Sequence, residues 1–108
     1  MISTHILDTH LGKPAANVKV KLFNEHSVLI TEARTNGDGR ISSEDFALTE
    51  LKEGNYSLSF AIGSYFDHLK IETFFPKVVI HFTIKNDQQH YHIPLLISPF
   101  AYSTYRGS

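Results

Sequence analysis

Along most of this chain apolar and polar residues alternate, and a period of two predicts strands. The clearest case is 55–62, where Tyr56, Leu58, Phe60 and Ile62 alternate with Asn55, Ser57, Ser59 and Ala61. In 77–85, Val78, Ile80, Phe82 and Ile84 face one way, and Lys77, His81, Thr83 and Lys85 the other. In 17–23, Val18, Val20 and Leu22 oppose Lys19 and Lys21. Weaker strands are predicted at 2–8, 28–35, 90–97 and 102–106, with a short one starting at Arg40. Turn signals separate them: Gly12-Lys13-Pro14, Asn24-Glu25-His26-Ser27, Asn36-Gly37-Asp38-Gly39 and Glu53-Gly54-Asn55. After Gly63, Ser64 followed by Asp67 reads as the capped start of a helix of a turn or two, reaching Lys70. The sum is all-β: about eight strands and one short helix, arranged as a two-sheet antiparallel sandwich.

Length and composition narrow the function classes. The 108 residues make one domain, 1–108, and one core suffices without staples. With no cysteine, disulfides and thiolate metal sites are excluded. Ten Lys+Arg balance eleven Asp+Glu and no basic run exists, so nucleic acid is not an expected partner. No apolar stretch is long enough to cross a membrane as a helix. The start, Met1-Ile2-Ser3-Thr4-His5, lacks the charged and apolar regions of a secretory signal. The expected location is therefore the cytoplasm. A periplasmic form with its leader removed is the alternative, and an encoded Met1 argues against it.

Seven histidines are the chemistry that composition offers: His5, His10, His26, His68, His81, His90 and His92. Imidazole titrates near neutrality and is the commonest metal ligand. His90-Tyr91-His92 puts two imidazoles on one face of a strand, and such a pair holds zinc or copper only with further ligands. Tyr91, Ile93, Leu95 and Ile97 form the apolar face, so His92, Pro94 and Leu96 look away from the core. By the same parity Ser3, His5 and Leu7 oppose Ile2 and Ile6. The stretch from Arg34 to Asp45 resembles a calcium loop at Asn36, Asp38 and Gly39 only. Arg34 and Asp45 stand where the first carboxylate and the bidentate Glu belong, so the reading is a Gly-rich hairpin turn that holds Arg40. The tail from Tyr102 to Ser108 carries two Tyr and an Arg in strand-like alternation; Tyr105 offers a hydrogen-bond donor, and Arg106 a partner for an anion.

These residues carry a resemblance. Ser3-Thr4-His5-Ile6-Leu7-Asp8 with Gly12-Lys13-Pro14-Ala15, then Asp38-Gly39-Arg40 and Thr73-Phe74-Phe75-Pro76, resemble the 5-hydroxyisourate hydrolases, the transthyretin-related enzymes of urate breakdown. His90-Tyr91-His92-Ile93-Pro94-Leu95-Leu96-Ile97-Ser98-Pro99, closed by Tyr105-Arg106-Gly107-Ser108, is similar to that family's C-terminal signature. The resemblance spans essentially the whole chain. It departs at Phe100-Ala101, where the family more often has Tyr-Gly, in a turn before the last strand.

The resemblance implies a transthyretin-like sandwich and a homotetramer, a dimer of dimers, with active sites where the dimers meet. It implies catalytic roles for His5, Arg40, His92 and Tyr105. Substrate contacts are expected at Arg40 and Ser108, whose terminal carboxylate would help fix the tail. No metal or cofactor is expected. The implied reaction is cyclic amide hydrolysis of 5-hydroxyisourate to 2-oxo-4-hydroxy-4-carboxy-5-ureidoimidazoline in purine degradation, with His5 or His92 as the base. The alternatives are a transthyretin-like carrier that binds a small hydrophobic ligand without turnover, and a metal site on His90 and His92.

Overall fold

The computed structural model describes residues 1–108. Nine strands and one helix follow one another: β1 (Ile2–Asp8), β2 (Lys13–Pro14), β3 (Lys19–Asn24), β4 (Leu29–Arg34), β5 (Arg40–Ile41), β6 (Gly54–Phe60), α1 (Ile62–His68), β7 (Val78–Ile84), β8 (Tyr91–Ser98) and β9 (Ala101–Thr104). They build the predicted sandwich. One sheet has the order β4-β3-β6-β7; the other runs β2-β1-β8-β9, with β5 also paired to β1.

Alternation decides what lies between the sheets. Ile2, Ile6, Leu95 and Ile97 of one sheet and Val20, Leu22, Leu58 and Phe60 of the other are fully buried, in a core cluster of 20 residues. Burying one such side chain contributes about 1.5–3 kcal/mol relative to leaving it exposed. The opposite parity of β1 and β8 leaves Ser3, His5, Leu7, His92 and Leu96 only half-buried, on the outer face. β1 and β8 lie side by side with Ser3 opposite His92 and His5 opposite Pro94. This pair runs parallel, whereas every other strand pair is antiparallel. A period of two reports which face a residue is on, and is silent about strand direction.

Three local expectations are corrected. The helix begins at Ile62, before Ser64, and its N-cap Ala61 makes no side-chain capping bond. Ile62, expected to end a strand, instead buries one face of the helix together with Phe66, four residues on. Packing holds this helix where a cap does not. The Asn36–Gly39 turn is not a hairpin, because β4 belongs to one sheet and β5 pairs with β1 in the other. It is a tight crossing between sheets, in which the Asn36 side-chain oxygen accepts hydrogen bonds from the amides of Asp38 (2.9 Å) and Arg40 (3.0 Å). The last strand ends at Thr104, and the tail then turns so that the Gly107 amide donates to the His92 carbonyl at 2.8 Å. Ala101 enters β9 opposite Ser98 without a positive φ, so nothing in that turn demands glycine. No helix is long and apolar enough to cross a membrane.

Candidate active site

The crossing turn delivers Arg40 to β1. Gly39 has φ of +72°, and a Cβ there would stand 2.5 Å from the Ile6 carbonyl oxygen. Only glycine lets the turn press this closely on the strand. The Ile6 amide in return donates to the Gly39 carbonyl at 2.8 Å. As a result Arg40 lies directly opposite His5 in the β1–β5 register.

His92 comes from the neighbouring strand and is held on two sides. Its Nδ1 is 2.8 Å from the Ser3 hydroxyl. Its Cδ2 edge lies against Gly107, where a Cβ would be 2.5 Å away. The ring nitrogen left for chemistry is Nε2. A cleft of about 390 Å³ opens here, lined by Ser3, Arg40, Ser43, His90, His92 and Ser108 among others.

Both candidate imidazoles are pushed below the ordinary histidine pKa. For His5 the largest cause is burial, followed by the Arg40 charge; a hydrogen bond donated by the ring to the Asp38 backbone carbonyl and the Asp38 charge oppose it. For His92 burial again leads, followed by the charges of Arg40, His5 and His90, against a hydrogen bond to the Ser3 backbone. Each is therefore mainly neutral at pH 7, the form in which an imidazole can accept a proton. A guanidinium beside two neutral imidazoles can bind an anion and activate water.

Tyr105 lies apart from this group. It is exposed, and it borders a second cavity of about 580 Å³ together with Lys85, Tyr91, Thr104 and Arg106. His92 borders both cavities and so joins them. Arg106 stacks its guanidinium 4.4 Å from the Tyr91 ring centroid and donates to Gln89 Oε1 at 3.2 Å. It clamps the tail to β8.

Sequence reasoning missed Ser3 and undervalued His90. The Ser3 hydroxyl also lies 2.8 Å from His90 Nε2, so one oxygen bridges two imidazoles. The signal was present, since Ser3 shares the parity of His5, but a serine on a strand is too common to single out. The facing nitrogens of His90 and His92 are thus engaged with Ser3 rather than open as a chelating pair. His10, His26, His68 and His81 are exposed, as their turn, helix and outward-strand positions suggest.

Comparison with known proteins supplies an independent line. The HIUase/Transthyretin family model matches residues 2–107. The 5-hydroxyisourate hydrolase of Caulobacter vibrioides is 44% identical over 117 residues, covering 99% of this chain and 97% of its own length. The structure of Klebsiella pneumoniae 5-hydroxyisourate hydrolase superposes with a TM-score of 0.89 at 39% identity, over 99% of this chain and 92% of that one. Sea bream transthyretin in complex with thyroxine reaches the same TM-score, 0.89, at 24% identity, over 98% of this chain and 93% of that one. That last likeness speaks for the fold alone.

Proposed function

The chain belongs to the HIUase/Transthyretin family, and we propose that it hydrolyses 5-hydroxyisourate, opening the ring at a cyclic amide to leave 2-oxo-4-hydroxy-4-carboxy-5-ureidoimidazoline. The observation that carries this reading is the convergence on Arg40 of two imidazoles of lowered pKa, His5 directly opposite it in the β1–β5 register and His92 beside it at the cleft. The carrier alternative draws on a likeness of fold and leaves this polar cluster without a purpose.

In the reaction, His92 Nε2 takes a proton from water, and the water oxygen attacks the ring carbonyl. His5 orients that water. Arg40 binds the anionic substrate and stabilises the oxyanion that forms, the role in which fixed charges contribute most. The ring C–N bond then breaks, and His92 returns its proton to the leaving nitrogen. Ser108 contacts the substrate at the cleft, and Tyr105 acts from the adjoining cavity that His92 also borders. Proton transfer of this kind contributes about 10²–10⁴ in rate.

The reading includes a dimer of dimers with its sites between subunits. The half-buried Leu7 and Leu96 on the outer face of β1 and β8, beside His5 and His92, support it. Light scattering on the eluted protein would then return four times the chain mass.

The test is direct. The purified protein is added to freshly generated 5-hydroxyisourate and the decay is followed by absorbance. Acceleration that is lost in His5→Ala, Arg40→Ala and His92→Ala while the circular dichroism is kept is the expected result. An unaccelerated decay with wild-type protein overturns the reading.

A further inference from the structure

We propose that Ser3 and His90 form a proton relay that carries positive charge away from His92 during turnover. This rests on the reading of His92 as the proton-transferring group. The geometry is a chain of three groups: His90 Nε2, the Ser3 hydroxyl and His92 Nδ1, joined by two contacts of 2.8 Å each.

The donor inventory makes the chain directional. A serine hydroxyl has one proton to give, and a neutral imidazole has one N–H. When both rings are neutral, one ring donates to Ser3 Oγ, and Ser3 donates to the other. In the state ready to react, His92 Nδ1–H donates to Ser3, and Ser3 donates to His90 Nε2. His92 Nε2 then carries a free lone pair towards the cleft.

Charge explains why a relay is needed. Taking a proton at Nε2 makes His92 cationic beside Arg40, and that charge already disfavours protonation there. The groups facing His92 are Arg40 on β5, His5 on β1 and His90 before β8, with Ser108 at the cleft and Lys85, Tyr105 and Arg106 around the second cavity. The relay relieves the strain without loss or gain of atoms: the Nδ1 proton of His92 passes to Ser3 Oγ as the Ser3 proton passes to His90 Nε2. His92 is again neutral, now with its proton on Nε2 and facing the leaving nitrogen. The positive charge rests on His90, which is exposed and so well solvated. When Nε2 gives its proton to the leaving nitrogen, the two transfers run back and the starting state returns.

Ser3 and His90 are positioning residues in this scheme, because neither touches the reacting atoms. The experiment combines kinetics of Ser3→Ala, Ser3→Thr and His90→Gln on 5-hydroxyisourate with ¹⁵N NMR of the imidazoles in the free protein. Ser3→Ala and His90→Gln should each lower kcat by roughly ten- to a hundredfold with KM little changed. Ser3→Thr keeps a hydroxyl on a strand and should recover most of kcat. In the wild-type spectra His92 should carry its proton at Nδ1, facing Ser3, and Ser3→Ala should release that preference. Wild-type kcat in His90→Gln, or a resting wild-type His92 protonated at Nε2 in place of Nδ1, overturns the relay. A wild-type protein without turnover overturns the functional reading and the relay with it, whereas turnover that His90→Gln leaves unchanged overturns the relay alone. Should Ser3→Ala fail to fold, Ser3→Thr, His90→Gln and the wild-type spectra still decide.

Discussion

Gly107 is the wall against which the His92 imidazole rests: a Cβ added at Gly107 would stand 2.5 Å from His92 Cδ2 and 3.1 Å from Pro94 Cγ. The tail glycine thus sets the orientation of a ring on another strand. In Gly107→Ala the ring, being at the end of a rotatable side chain, yields before the backbone does. Displacement of a reacting group by about 1 Å can cost on the order of 10² in rate. The expected outcome is a loss of kcat/KM of that order with a thermal midpoint close to wild type, read by steady-state kinetics and calorimetry.

Gly39 makes the opposite kind of contact. Its Cβ would meet backbone, the Ile6 carbonyl oxygen, and its φ of +72° is one that side chains rarely adopt. Gly39→Ala should therefore cost stability, about 1–3 kcal/mol, and should also pull Arg40 from its place opposite His5. Denaturant midpoints and the KM for the anionic substrate would both worsen.

The lowered pKa values of His5 and His92 fix the sign of the pH dependence. Activity should hold below the ordinary histidine value of about 6.5 and fall only as pH drops through the lowered values. Stability follows the same direction. The unfolded state binds protons more readily at these rings, so their contribution is present above about pH 6.5 and lost as pH falls through the folded values. In Arg40→Met the acidic limb of residual activity should move up towards 6.5, because one cause of the shift is gone. A limb that stays in place would assign the shift to burial and the neighbouring imidazoles in place of Arg40.

Tyr65 offers a control away from the cleft. Its hydroxyl donates to Asp8 Oδ2 at 2.7 Å, and Asp8 is fully buried at the end of β1 furthest from Ser3. The Tyr65 hydroxyl is correspondingly held well above its ordinary pKa, chiefly by burial and then by Asp8. Tyr65→Phe leaves a buried carboxylate oxygen without that partner, at a cost of about 1–3 kcal/mol. The denaturation midpoint should fall while kcat and KM stay at wild-type values.

Much of the fold was legible because burial on a strand obeys a period of two. Ile2, Ile6, Tyr91, Ile93, Leu95 and Ile97 point inward as their spacing predicts, and His5 and His92 are on the outer face for the same reason. The start of helix α1 was misplaced by three residues, because Ser64 looked like a cap whereas Ala61 precedes the helix and Ile62 and Phe66 are satisfied by packing. The turn before Arg40 read as a hairpin because its residues are those of a tight turn, whichever sheet the next strand joins.

The sequence by itself determined the strands, their inward faces and the family to which the chain belongs. These are local or linear properties, carried by alternation and by motifs. Tertiary structure alone decided that Arg40 stands opposite His5, that Ser3 bridges His90 and His92 from the other end of the chain, and that Tyr105 borders a separate cavity joined to the cleft at His92. Each depends on which strands pair and in what register. That choice is made by burying two apolar faces against each other, a requirement the whole chain satisfies at once and no single segment records.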